Sequence, residues 1–259
     1  MRDERAMTEM VLAYHEIMPE SSYAYCVPSD HFAEHLSLLS SLDDPAGPAI
    51  RTRITFDDGE QSQSRNALPL LRRHGFSATY FVNPGLAGTE PKFLSWAQLQ
   101  ELQSAGHSIQ SHGWSHKFLT FCSDAELKQE LGGSREALED KLSAAVEEIS
   151  VPGGRWNRRV IQACANAGYK RVYVSDPWIA TEISGVKVIG RFMVRRTTRL
   201  AELKKMAQRD RGALWALKMR AQLKRRVVGL MGDGLYHRLW CRLTGYNEFE
   251  AARQQDHYS

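Results

Sequence analysis

Ile54-Thr55-Phe56-Asp57-Asp58-Gly59-Glu60 is the stretch on which the reading of this chain turns. Apolar residues alternate with Arg51, Arg53 and Thr55 from Ile50 to Phe56, the pattern of a β-strand. Successive strand residues point to opposite faces, so Asp57 and Asp58 could not share a site inside a strand. At the C-terminal end, where Gly59 lets the chain turn, both can reach one pocket. Two carboxylates that close repel each other and call for a positive partner. A metal held by one, with a water activated by the other, meets that need.

The sequence Ser111-His112-Gly113-Trp114-Ser115-His116 offers the other ligands. Two histidines four apart lie on one face of a helical turn and can grip one ion. With Asp58 they make a site of one carboxylate and two imidazoles, with positions left open for water. Open positions mark a catalytic metal rather than a structural one.

Together, and in this order and separation, Thr55-Phe56-Asp57-Asp58-Gly59 and Ser111-His112-Gly113-Trp114-Ser115-His116 resemble the first two motifs of the polysaccharide deacetylases, the NodB-homology domain or carbohydrate esterase family 4. The resemblance runs roughly from Val11 to Arg195. It implies a distorted (β/α) barrel that removes N- or O-acetyl groups from sugars with a divalent metal, zinc foremost. It makes Asp57 the base, and Asp58, His112 and His116 the metal ligands. The third motif reads Ser150-Val151-Pro152-Gly153-Gly154 here, and the Gly153 N–H is expected to donate to the oxyanion. Ser150 stands where the family has the arginine that orients the base, so Arg155 or Arg191 is expected to replace it in space. The family's late Leu-x-His motif is absent, and Val188-Ile189-Gly190-Arg191-Phe192 occupies its region. Relatives similar to poly-N-acetylglucosamine deacetylases instead carry a Tyr-His at the end of the first strand. Tyr14-His15 matches that arrangement and makes His15 the expected acid. Trp178, in the region of the fourth motif, is expected to wall the acetyl pocket.

Strand and helix signals alternate with short links from Met10 onward, which argues for an α/β fold with a parallel sheet or barrel. Each candidate residue falls just after a strand, the catalytic face of barrels. Gly75 is expected to end a helix, and Ser123-Asp124-Ala125-Glu126 to cap one. Gly132-Gly133 is expected to break that second helix. The barrel is assigned to residues 8–200. From Ala201 to Ser259 strand signals stop, and apolar residues recur at helical spacing among many Lys and Arg, which describes a basic amphipathic helical tail.

The 259 residues suit one such barrel and its appendage. A net charge of +4 does not argue for nucleic acid, and the tail has few aromatics for base stacking. Cys26, Cys122, Cys164 and Cys241 form no C-x-x-C pair and read as reduced, buried thiols. A charged Met1–Arg5 with no apolar run of signal length after it sets an expectation of a cytoplasmic protein, peripheral at the membrane through its tail. The expected substrate is an acetylated sugar, oligosaccharide or lipid-linked saccharide. The competing reading is a catalytically silent barrel that binds glycan or recruits partners at a membrane.

Overall fold

The unbroken apolar run Met10–Tyr14 becomes a strand buried along nearly its whole length, as parallel strands are when both faces are covered. The computed structural model describes residues 9–21, 23–42, 51–177, 179–208 and 210, with 212, 215, 219, 223, 235 and 239. In chain order the elements are β1 (Glu9–Tyr14), β2 (Glu16–Met18), β3 (Cys26–Pro28), α1 (Ser29–Leu42) and β4 (Arg51–Phe56). A π-helical turn, Gln63–Ala67, then leads into α2 (Leu68–His74), followed by β5 (Ala78–Val82), α3 (Trp96–Ser104) and β6 (Ser108–Ser111). Next come α4 (Asp124–Lys128), a second π turn (Gln129–Gly133), α5 (Ser134–Leu142), β7 (Glu148–Ser150) and α6 (Arg158–Asn166). The last elements are β8 (Arg171–Val174), β9 (Ala180–Ile183), β10 (Val186–Gly190), β11 (Phe192–Met193) and α7 (Leu200–Ala207).

Nine strands form one sheet in the order β11-β1-β4-β5-β6-β7-β8-β10-β9. Every pair is parallel except the β9–β10 hairpin. One residue, Arg191, separates β10 from β11. The Arg191 N–H donates to the Val174 carbonyl at 2.9 Å, and the Val194 N–H donates to Ala13 at 2.9 Å. The run 186–194 therefore binds β8 at one end of the order and β1 at the other, which curls the sheet into a distorted barrel. Among the described residues the strands do not close into a complete hydrogen-bonded ring.

Local signals explain several boundaries. Gly75 ends α2 with φ 72°, a conformation that costs glycine little. Ser123 and Glu126 make the reciprocal cap expected at α4. Gly132-Gly133 does not break the helix as expected. The pair lies in the second π turn, and the helix continues to Leu142. A Cβ on Gly133 would lie 2.7 Å from Gln129 Nε2, the mobile end of a side chain one turn earlier.

The compact unit runs through Asp210 and includes α7, whose Leu203 is fully buried. Residues from Arg211 form a second unit, within which Trp215, Met219 and Leu223 are helical and exposed. The other apolar and basic residues of the expected tail helices, and its Gly232-Asp233-Gly234 break, lie outside the described residues. No helix among the described residues is long and apolar enough to cross a membrane. Cys26, Cys122 and Cys164 are buried free thiols, and Cys241 lies outside the described residues.

Candidate active site

Asp57 and Asp58 follow β4 directly, and Asp58 and Gly59 both take positive φ (71° and 69°). Those two left-handed residues turn the chain sharply, so adjacent carboxylates reach one site. A Cβ on Gly59 would come 3.0 Å from the Val82 side chain, so β5 packs tightly under the turn.

His112 and His116 come from the segment after β6. The expected helical turn is absent: the segment is a loop, with positive φ at Gly113 (79°) and His116 (64°). Tertiary bonds hold it. Glu130, buried, accepts from the Trp114 N–H (2.8 Å), the Ser115 N–H (3.0 Å) and the Ser115 hydroxyl (2.5 Å). Asn83 Nδ2 donates to the carbonyls of His112 (2.6 Å) and Gly113 (3.1 Å). A buried carboxylate is costly unless it is hydrogen-bonded, and these three donors reach both of its oxygens.

Both imidazole Nε2 atoms lie 3.2 Å from Asp58 Oδ1. One ligand atom from each of the three residues falls within 4.8 Å of the others. Asp58 Oδ1 is buried without a well-directed hydrogen bond. Two imidazole nitrogens converging on an unsatisfied carboxylate oxygen make three ligand atoms that fit a divalent cation. His112 Nδ1 lies 2.7 Å from the Ser150 carbonyl, a contact that makes Nδ1 the donor and leaves Nε2 free to ligate. Burial raises the Asp58 pKa, but His116 and His112 outweigh it and hold Asp58 well below the usual carboxylate range.

Both oxygens of Asp57 accept hydrogen bonds. Arg191 Nη1 and Nη2 donate to its two oxygens at 2.7 and 2.6 Å, and the Ser150 hydroxyl donates at 3.1 Å. Arg191 Nη2 also donates to Ser150 Oγ at 2.6 Å. Burial pushes the Asp57 carboxyl up, yet the Arg191 guanidinium brings it down to about 2. Ser150 and Arg191 thus stand together where the family motif has one arginine. Arg155, the other expected replacement, instead stacks over Phe118, 4.7 Å from the ring centre.

His15 follows β1. Gln63 Nε2 donates to the carbonyls of both His15 (3.0 Å) and Asp57 (2.5 Å), tying the two strand ends together. Burial lowers the His15 pKa, against the opposing pull of Asp58 and Asp57. Its Nδ1 is buried without a partner. Gly153 is exposed in a tight turn with φ 63°. That turn's own bond uses the Gly154 N–H (2.8 Å to Val151 O) rather than the Gly153 N–H. Trp178 lies outside the described residues.

The structure therefore brings together Asp57, Asp58, His15, His112, His116 and Arg191. Sequence reasoning missed Gln63, Asn83, Glu130 and the role of Ser150. The advance signal for Glu130 was its place in the helix opened at Ser123, and Gln63 lay ahead of the expected helix from Asn66. Both sit in π turns, which recur at functional sites.

Residues 46–172 match the family model for polysaccharide deacetylases. The Bacillus subtilis (strain 168) protein YxkH, which its name provisionally classes as a polysaccharide deacetylase, is 25% identical over 75% of this chain and 74% of its own. The peptidoglycan-N-acetylglucosamine deacetylase PgdA of Listeria monocytogenes is 31% identical over 48% of this chain, which spans 27% of PgdA. The solved structure of Streptococcus pyogenes deacetylase PplD in complex with acetate superposes with a TM-score of 0.67, at 24% identity, over 77% of this chain and 96% of that one. The two motifs and the family model over residues 46–172 make this chain similar to the polysaccharide deacetylases, and the solved structure shares its fold.

Proposed function

We propose that this protein is a metal-dependent hydrolase that removes an acetyl group, N-acetyl foremost, from a sugar in polysaccharide or glycolipid synthesis. The observation that carries the reading is the convergence of Asp58, His112 and His116 beside an Asp57 kept ionised by Arg191. A catalytically silent scaffold has no need of this arrangement. The N-acetyl preference leans on PgdA, whose name gives N-acetylglucosamine as its sugar.

A divalent ion at Asp58, His112 and His116, zinc foremost, would polarise the acetyl carbonyl and lower the pKa of attacking water. The rest falls to the chain. Asp57 takes the proton of the attacking water. A carboxylate has about four acceptor sites, and Arg191 and Ser150 occupy three, so one remains for that water. The water oxygen bonds to the acetyl carbon, and the Gly153 N–H donates to the developing oxyanion. As the carbon–nitrogen bond breaks, the electron pair goes to nitrogen, and His15 supplies its proton. An imidazole of lowered pKa parts readily with a proton once it holds one. Acetate and a free amine are the products.

The second unit adds a location. Trp215, Met219 and Leu223 are exposed on helical residues, and Lys218, Arg220, Lys224, Arg225 and Arg226 lie among them in sequence. Basic and apolar residues so interleaved suit an anionic membrane surface, where a lipid-linked saccharide would be met. Acetate release from N-acetylated oligosaccharides, before and after chelation and metal return, tests the activity. Release that is unaffected by chelation would refute the metal-dependent mechanism.

A further inference from the structure

One wall of the site carries positive charge that the proposed chemistry does not use. The His15 ring packs against Tyr25, with centroids 5.0 Å apart. Arg195 lies over the other partner in this stack: its guanidinium carbon is 5.2 Å from the Tyr25 ring centre, and Nη2 donates to Tyr25 Oη at 3.4 Å. Tyr23, exposed, extends the aromatic surface at 5.7 Å from Tyr25. Arg196 holds this loop in place, its N–H donating to the Ala24 carbonyl at 3.0 Å and its side chain to Ser21 O. Among the described residues, neither Arg195 nor Arg196 has a carboxylate within ion-pair distance. Stacking thus fixes the Arg195 fork without neutralising it, and that planar fork matches a phosphate or carboxylate.

Glu60, near His15, is spent on another cation. Buried Glu60 is paired with Lys92 at 3.0 Å.

Resting on the deacetylase reading, we infer that the His15–Tyr25–Arg195 wall is an anion-reading subsite, and that the substrate is an acetylated sugar bearing, or joined to a residue bearing, a phosphate or carboxylate. The sugar face lies along the tyrosines, and the anion engages Arg195. This orientation leaves the departing amine beside His15.

The test uses the full chain and three probes: N-acetylglucosamine 1-phosphate, N-acetylglucosaminyl-glucuronate and neutral chitobiose. Each carries N-methylsulfonyl in place of N-acetyl, so none is consumed. Titration calorimetry should show an anionic probe binding about tenfold more tightly than the neutral one, the scale of one charge-assisted hydrogen bond. Arg195→Gln should erase that preference, and Arg195→Glu should invert it. A preference for the 1-phosphate alone assigns phosphate, and one for the uronate alone assigns carboxylate. Equal affinities in the unaltered protein, or a preference that survives Arg195→Gln, would overturn the inference. Acetate release from the acetylated forms is read separately. A charge preference without any release would support the subsite and overturn the deacetylase reading.

Discussion

Arg191 grips both oxygens of Asp57, at 2.7 and 2.6 Å, from the single residue that separates β10 from β11. The same residue that hands the chain from β8 to β1 keeps Asp57, the proposed base, ionised. Arg191 is 1% exposed and Asp57 3%, so neither charge has water to fall back on. Arg191→Met should cost roughly 3–5 kcal/mol of stability, the scale for breaking a buried pair from one side. It should also shift the rate profile. With Arg191 gone, the largest opposition to burial is lost and the Asp57 pKa rises, so the acid limb of kcat moves to higher pH. The native pair stabilises the fold fully above the ordinary carboxylate pKa of 3.8, and that contribution fades as pH falls towards about 2. Thermal melts and pH-rate curves of both proteins check this. An unmoved acid limb would show that Asp57 is not the base.

Asp57→Asn and Asp58→Asn should fail differently. The first removes a base and keeps the three ligands, so bound metal persists while turnover is nearly lost. The second removes a ligand, and metal content should fall, as it should in His112→Ala. Elemental analysis beside acetate release distinguishes them. Equal metal loss in the two aspartate variants would contradict the division of roles.

His15→Ala should keep fold and metal while losing about 10²- to 10⁴-fold in rate on an acetamide, the usual scale of acid–base help. Loss should be far smaller on an activated aryl ester, whose leaving group needs no proton. The orphan Nδ1 is the structural motive for this expectation. Equal losses on both substrates would make His15 a packing residue against Tyr25.

Removing residues after Asp210 should leave the first compact unit folded, because that unit already contains α7 with Leu203 buried. Sedimentation with anionic liposomes should show binding by the full chain that weakens with salt and is lost on truncation. Each cation near the surface adds about 1 kcal/mol. Binding that survives truncation would remove the second unit from that role.

What sequence alone determined here was local chemistry. Alternation up to Phe56 placed a strand end under Asp57, and Gly59 supplied the turn. The motifs named Asp58, His112 and His116, and the residues of the capping box fixed the start of α4. These follow from backbone periodicity and from bonds spanning a few residues, so a single stretch contains the information. The shape of the histidine segment was not local. Its spacing suited a helical turn, but Glu130 and Asn83 hold its backbone in a loop through bonds from distant elements. Nor could spacing choose between Arg155 and Arg191. Arg155 is much nearer Ser150 in the chain, yet Arg191, 134 residues from Asp57, makes the contact. Only the curl of the sheet through residues 186–194 brings that guanidinium inside, and burial there makes the pair with Asp57 necessary.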